Sequence, residues 1–96
     1  MDAEAFMRGH AEKASSGRVP EILGDLTPEA MQQVMAMMAE MPNPATSYSM
    51  TTVSNNDGAA VFDLTYTGDG GKSFTLRDHV GQVDGAWRIV KIERAS

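Results

Sequence analysis

A β-hairpin near the end of the sequence limits the folds open to this chain. The segment Arg77–Glu93 holds one run of alternating apolar residues that ends at Val83 and a second run, Trp87–Ile92. Between them stands Asp84-Gly85, a dipeptide typical of tight hairpin turns. The second run contains the single tryptophan, whose indole is the largest apolar surface that so short a chain can bury. We therefore expect the rest of the chain to cover one face of a sheet that contains this hairpin.

The second half of the sequence contains four segments in which apolar and polar residues alternate. Turn-forming residues separate them, at Asn56-Asp57-Gly58, Gly68-Asp69-Gly70-Gly71 and Asp84-Gly85. Because such short turns join neighbouring antiparallel strands, the pattern predicts an antiparallel meander. The predicted strands are Ser47–Asn55, Ala59–Thr67, Lys72–Val83 and Ala86–Arg94.

The first half shows helical periodicity instead. Thr27 is suited to cap free N–H groups, Pro28 fits the first helical position, and Glu29 faces the positive end of the helix dipole. Pro42 and Pro44 end the helix that starts there. We thus expect residues 1–96 to form one α+β domain, with three N-terminal helices packed on a four-stranded antiparallel sheet. The predicted helices are Asp2–Ala14, Arg18–Leu26 and Pro28 to about Glu40.

The alternation along the strands predicts which side chains face the helices. Asp78 stands out among the inward positions as the one ionisable carboxylate. Val90 and Ile92 break the alternation of the last strand, which a β-bulge near Arg88–Val90 or a covered outer face would explain. The predicted inward residues are Tyr48, Met50, Thr52, Phe62, Leu64, Tyr66, Phe74, Leu76, Asp78, Val80, Trp87 and Ile89.

Methionines dominate the apolar face of the third predicted helix. Flexible thioethers fill irregular gaps in a core, and the same deformability suits an adaptable ligand cavity or partner groove. The sequence leaves both readings open. Met37 lies off this face, so we expect it to be exposed. The predicted face consists of Met31, Val34, Met35, Met38 and Met41.

Charge and composition exclude several classes of function. The net charge is −5, whereas nucleic acids and anionic membranes favour basic proteins, so neither is expected as a partner. No apolar run approaches the roughly 20 residues that span a bilayer. The first residues lack the apolar region of a signal peptide, and the chain has no cysteine, so a cytoplasmic location is expected. The two histidines share no ligand spacing, and no phosphate loop or nucleophile elbow occurs, so neither a metal nor a cofactor is predicted.

The closing segment Asp84–Ile89 (DGAWRI), the acidic-aromatic start of the first helix (Glu4 and Phe6) and the connection Leu26–Glu29 (LTPE) carry a resemblance. Together they resemble the nuclear transport factor 2-like superfamily, the SnoaL-like or cystatin-like α+β cone. That group includes polyketide cyclases, ketosteroid isomerases and limonene epoxide hydrolases. The resemblance implies a cone in which helices pack over a concave, curved sheet and enclose a cavity. In enzyme members, inward acids and tyrosines transfer protons within that cavity.

Asp78 is the candidate catalytic residue, because a carboxylic acid in an apolar pocket has a raised pKa and is suited to proton transfer near neutrality. An inward Asp can equally be structural, satisfied by a backbone N–H, a tyrosine hydroxyl or His10. Packing is the simpler role for His10 as well. A pocket under the helices would have the candidate lining residues His10, Met35, Met38, Tyr48, Tyr66 and Trp87.

These residues support a non-catalytic domain that binds a small apolar ligand or another protein. The alternative is a small isomerase, cyclase or dehydratase that uses Asp78 as its acid or base. Binding is favoured over catalysis because the early helices and the first strand offer no evident inward base to pair with Asp78. The outer sheet face is rich in Ser and Thr and suits a homodimer contact, although these residues also favour strands in monomers.

Overall fold

The computed structural model describes residues 2–16, 19–42, 45–56 and 58–95. Helices come first in the chain and strands follow, which is the α+β arrangement that the sequence predicts. The helices are α1 (Ala3–Ser15), α2 (Val19–Leu23) and α3 (Pro28–Met37), and the strands are β1 (Ala45–Asn56), β2 (Ala59–Gly68), β3 (Ser73–Val83) and β4 (Ala86–Arg94). Short 3-10 helices follow α3 at Met38–Glu40 and β2 at Asp69–Gly71. Arg18, Pro44 and Asp57, to which the sequence assigns a helix start, a helix end and a turn, lie outside the described residues.

The three predicted helices are unequal in the structure. α1 and α3 have 13 and 10 residues, whereas α2 has 5. α2 stops at Leu23, short of the predicted end at Leu26, because Leu26 forms a parallel β-bridge with Ile89 of β4. α3 gives way after Met37 to the 3-10 turn that ends at Glu40. Within the described ranges, no helix is both long and apolar enough to cross a membrane.

Side-chain caps set the starts of the two longer helices. Asp2 lies just before α1 rather than inside it, and its Oδ1 accepts a hydrogen bond of 2.7 Å from the Ala5 N–H. Thr27 caps α3 as predicted, with Oγ1 accepting from the Ala30 N–H at 3.3 Å. Each such cap stabilises a helix by about 1 kcal/mol.

The sheet is an antiparallel meander in the order β1-β2-β3-β4, as predicted. Asp84 and Gly85 both have positive φ angles, of 53° and 81°, which is the geometry of the tight hairpin turn expected there. Val80 pairs with Ile89 while His79 pairs with Lys91, so Val90 is the extra residue of a β-bulge. The predicted bulge is thereby confirmed.

The segment between α2 and α3 covers the free edge of β4. The Thr27 N–H donates to the Ile89 carbonyl at 3.0 Å, and the Ile89 N–H donates to the Asp25 carbonyl at 2.8 Å. Further along the edge, the Ile92 N–H donates to Gln33 Oε1 at 2.7 Å. These bonds satisfy backbone groups that an open edge would expose. They also hold Asp25 against the sheet.

The core lies between the helices and the inner sheet face. Met7 of α1 and Phe62, Leu64 and Ile89 of the sheet are fully buried. The bulge turns Ile92 inward as well, where it is 4% exposed. The described buried hydrophobic residues are Ala3, Met7, Ala11, Leu26, Ala30, Ala60, Phe62, Leu64, Tyr66, Phe74, Leu76, Val80, Ile89 and Ile92.

Two predictions about solvent exposure are wrong: Thr52 was expected to face the helices, and Met37 was expected to be exposed. Thr52 is exposed, because β1 is an edge strand with a neighbour on one side only. Met37 packs against the core, whereas Met35 and Met38 are 63% and 50% exposed. The 3-10 turn from Met38 explains part of this difference, since its tighter winding rotates side chains away from the face that an α-helix would continue.

Polar side chains pair with one another on the outer sheet face. Arg77 donates two hydrogen bonds to Asp63, at 2.8 and 3.1 Å. The hydroxyls of Thr65 and Thr75 lie 2.8 Å apart, on the neighbouring strands β2 and β3. These two pairs satisfy polar groups of the same face, and a homodimer through it stays a prediction.

Candidate functional site

A cavity of about 180 Å³ lies between the helices and the inner sheet face. The helices α1, α2 and α3 and the strands β1 to β4 contribute to its wall, and most of the wall is apolar. The polar exceptions are His10 of α1, Tyr66 of β2 and Asp78 of β3. The described lining residues are His10, Ala14, Ile22, Leu23, Leu26, Val34, Met35, Met38, Met41, Pro42, Ala45, Tyr66, Leu76, Asp78 and Ile92.

Asp78 is buried in this wall, with 1% of its surface exposed. Its neighbours across the strands are Phe62 on β2 and Ile92 on β4. Within the described part of the chain, its Oδ1 has no hydrogen-bond partner. Burial, with a smaller effect from the charge of Asp63, raises the pKa of Asp78 from 3.8 to about 7. Near neutral pH this carboxyl therefore changes readily between its acid and carboxylate forms.

His10 faces the same cavity and is held by Asp25. Its Nδ1 lies 3.0 Å from Asp25 Oδ2, and Lys13 Nζ approaches the same oxygen at 2.9 Å. Burial alone would raise the pKa of Asp25, but the hydrogen bonds and charges of His10 and Lys13 outweigh it and lower that pKa. Asp25 is thus ionised at neutral pH and accepts hydrogen bonds only, so Nδ1 of His10 carries the proton. Nε2 is then the ring nitrogen that a ligand can contact, since no bond from it to another described residue is seen.

The position of Asp25 follows from its backbone. Its carbonyl accepts from the Ile89 N–H, which fixes the segment between α2 and α3 beside the sheet. From there the side chain reaches the end of α1, where His10 and Lys13 lie one turn apart on the same side. Sequence reasoning missed Asp25, which lies within the predicted second helix, Arg18–Leu26. The sequence held one signal for a partner such as Asp25. His10 and Lys13 lie on one helix face, and no Asp or Glu stands three or four residues from either of them on that face.

Tyr66 lines the cavity, whereas Tyr48 and Trp87 do not lie among its described lining residues. Burial, with the negative charge of Asp78 as the next cause, raises the pKa of Tyr66, so its hydroxyl stays protonated. Tyr48 is the cross-strand neighbour of Tyr66 and packs against the core from the edge strand β1. Trp87 pairs with Gln82 close to the hairpin turn, where it packs against the core outside the cavity wall.

Leu23, Met35 and Met38 form the exposed rim of the cavity. Each of them lines the cavity and is also at least 41% exposed. A residue that satisfies both conditions marks where the cavity reaches the surface. The rim is apolar and, in its methionines, flexible. An apolar ligand would meet no charged side chain among these three residues as it enters.

The arrangement provides acid, base and hydrogen-bonding chemistry in an apolar setting. Asp78 offers a carboxyl group that changes protonation state near neutral pH, His10 offers a ring nitrogen, and Tyr66 offers a neutral hydroxyl. Among the residues that the structure describes, no three His, Asp or Glu side chains are grouped to hold a metal ion.

Comparison with known proteins finds no relative of this chain. No family model, no curated protein and no solved structure matches the chain. The resemblance to the nuclear transport factor 2-like superfamily therefore stays a prediction.

Proposed function

We propose that the protein binds a small, mostly apolar ligand in the cavity and contacts the ligand's polar group through Asp78. The observation that carries this proposal is a buried carboxyl group on the cavity wall with an oxygen that lacks a hydrogen-bond partner in the described structure. A buried polar group without a partner costs about 1–3 kcal/mol. A ligand that supplies the missing partner recovers that free energy on binding.

The size of the cavity supports a small ligand. An apolar cavity of about 150 Å³ is known to hold benzene, and the cavity here is about 180 Å³. A single ring with a short substituent therefore fits. The apolar wall supplies burial for the ring, while three polar residues can orient the substituent.

The test uses the methyl signals of the methionines as reporters. Met35, Met38 and Met41 line the cavity, and Met50 of β1, which is not among the described lining residues, is an internal control. Acetophenone, 2-phenylethanol and 2-phenylethylamine are added at millimolar concentration while carbon–proton NMR spectra are recorded. We expect at least one probe to shift the three cavity methyls in a saturable way and to leave the Met50 signal in place.

A pair of variants localises the binding. Ala14→Leu puts a larger side chain into the cavity wall, and Ala5→Leu makes the same change at an exposed position of the same helix. Binding should be lost in the first variant and kept in the second. Equal binding by both variants, or no shift of the cavity methyls by any probe, would refute the proposal.

A second function, proton transfer, is favoured by one observation. His10 and Asp78 line the same cavity, and Asp25 holds His10 in one tautomer. With a pKa of about 7, Asp78 matches the operating pH of a general acid or base. If it acts as a base, the protein should speed exchange of the α-hydrogens of acetophenone for deuterium in D₂O, followed by proton NMR. Asp78→Asn should abolish the acceleration, and exchange at the buffer rate with unaltered protein would exclude this reaction.

A further inference from the structure

We propose that the ligand of this cavity is a small amine, whose ammonium group pairs with the carboxylate of Asp78 while its apolar body fills the rest of the space. This inference rests on the proposed binding function and narrows it to one chemical class. It concerns the charge of the ligand, which the proposed function leaves open.

The charges around the cavity favour a cation. Asp78 is the acid of the described wall, and no Lys or Arg lines it. Lys13 approaches from outside but already contacts Asp25. An anionic ligand such as a carboxylic acid would meet Asp78 in a medium of low dielectric, where like charges repel strongly. The net charge of −5 also attracts cations to the protein surface before binding.

Hydrogen bonding also favours an amine as the ligand. A carboxylate accepts hydrogen bonds and donates none, whereas a primary ammonium group offers three donors. Rotation about the terminal side-chain bond of Asp78 can present either oxygen to the cavity, because this torsion is broad and roughly two-fold. A ketone offers acceptors only, so it can pair with the protonated form of Asp78 but not with the carboxylate.

The other polar groups of the wall fit an amine as well. The hydroxyl of Tyr66 can accept an N–H bond, and its ring attracts a nearby cation. Nε2 of His10 is an acceptor whenever the ring is neutral, since Nδ1 carries the proton bound to Asp25. A ligand of one aromatic ring and a two-carbon arm ending in an ammonium group matches both the volume and these partners. We therefore choose 2-phenylethylamine as the probe.

The pH dependence of binding separates an amine from a neutral ligand. Asp78 must ionise to pair with an ammonium group, so amine affinity should rise with pH up to about 7 and then level off. Affinity for a ketone that accepts a hydrogen bond from the acid form should fall over the same range. The groups to be considered around Asp78 are Tyr66 on β2, His10 on α1 with Asp25 and Lys13 behind it, and Asp63 on the opposite sheet face.

The experiment measures the dissociation constants of 2-phenylethylamine, 2-phenylethanol and acetophenone by calorimetry at pH 5.5 and pH 8. At pH 8 we expect the amine to bind at least about tenfold more tightly than the alcohol, which has the same carbon skeleton. The preference should disappear in Asp78→Asn and persist in Asp63→Asn, which makes the same change on the outer face. In unaltered protein, amine binding should also lower the pKa of Asp78 in a carboxyl-carbon NMR titration.

Each result bears on a definite claim. If the neutral probes bind in the cavity and the amine binds no better, the amine inference fails and the proposed function survives. If the amine binds equally well to Asp78→Asn, the assigned pairing is wrong. If no probe binds at all, both proposals fall together. The rise of amine affinity with pH in unaltered protein tests the inference even if Asp78→Asn does not fold.

Discussion

Replacing Asp78 by Asn should stabilise the folded protein at alkaline pH. Asn has nearly the same shape but no charge, so the substitution removes a carboxylate that is 1% exposed and leaves the packing unchanged. A buried carboxylate without full hydrogen bonding opposes folding once it ionises. The perturbation therefore isolates the free-energy cost of this one charge.

The pKa of Asp78 gives the size of the effect. This pKa is about 7 in the folded protein, whereas 3.8 is the usual value that applies to the unfolded chain. Between these two pH values the folded state therefore binds more protons than the unfolded state. Stability must then fall as pH rises through this window, opposite to the usual effect of an Asp. At 1.36 kcal/mol per pKa unit, the full loss is about 4 kcal/mol. Compared with the neutral acid, the Asn amide adds one N–H donor without a partner, at a cost of about 1–3 kcal/mol, so a net gain of about 1–3 kcal/mol remains at pH 8.

The assay is urea unfolding of both proteins at intervals between pH 4 and pH 8. The difference between their free energies of unfolding isolates Asp78, because all other groups titrate in both proteins. We expect Asp78→Asn to be the less stable protein at pH 4 and the more stable one at pH 8. The control Asp63→Asn should lack this crossover, since the pKa of Asp63 is lowered, mainly by its hydrogen bonds from Arg77. A difference that stays constant across the whole range would refute the reasoning.

Three further substitutions test the contacts that shape the fold. Thr27→Ala removes the cap of α3 and should lower the free energy of unfolding by about 1 kcal/mol in urea, whereas Thr27→Ser should restore most of it. Gln33→Ala leaves the Ile92 N–H without its partner and should cost about 1–3 kcal/mol, with faster amide exchange at Ile92 as the local readout. Gly85→Ala forces a side chain onto a φ of 81° and should cost about 1–2 kcal/mol in thermal unfolding, and an unchanged melting temperature would contradict the turn geometry.

Much of the sheet could be predicted because its determinants are local. The alternation of side chains defined the strands, and Asp84-Gly85 defined the final turn with both φ angles positive. The broken alternation at Val90 was consistent with a bulge or with a covered outer face, and the register shows the bulge. The end of α2 could not be predicted in the same way. It depends on a β-bridge between Leu26 and Ile89, which lie far apart in the sequence.

In the candidate site, too, the residues fixed by local pattern could be predicted and those fixed by distant contacts could not. Strand parity was enough to place Asp78 and Tyr66 on the inner face. Asp25 escaped prediction because its role arises from contacts with α1 and β4, neither of which is adjacent to it in the sequence. Trp87 was predicted to line the pocket, but its register opposite Gln82 puts it close to the hairpin turn.

The stability and binding experiments on Asp78 are linked, because each possible role of this residue predicts its own direction of change in the two assays. If Asp78 is a structural acid, its hydrogen bonds stabilise the fold. Its replacement by Asn would then destabilise the protein at every pH and leave ligand binding unaffected. An acid kept for a ligand gives the opposite pair of results at pH 8, greater stability and weaker amine binding, because its charge opposes folding until a cation neutralises it. We propose the second role for Asp78, because it is buried, lines the cavity and has an oxygen without a partner in the described structure. A single variant measured in both assays therefore decides between the two roles.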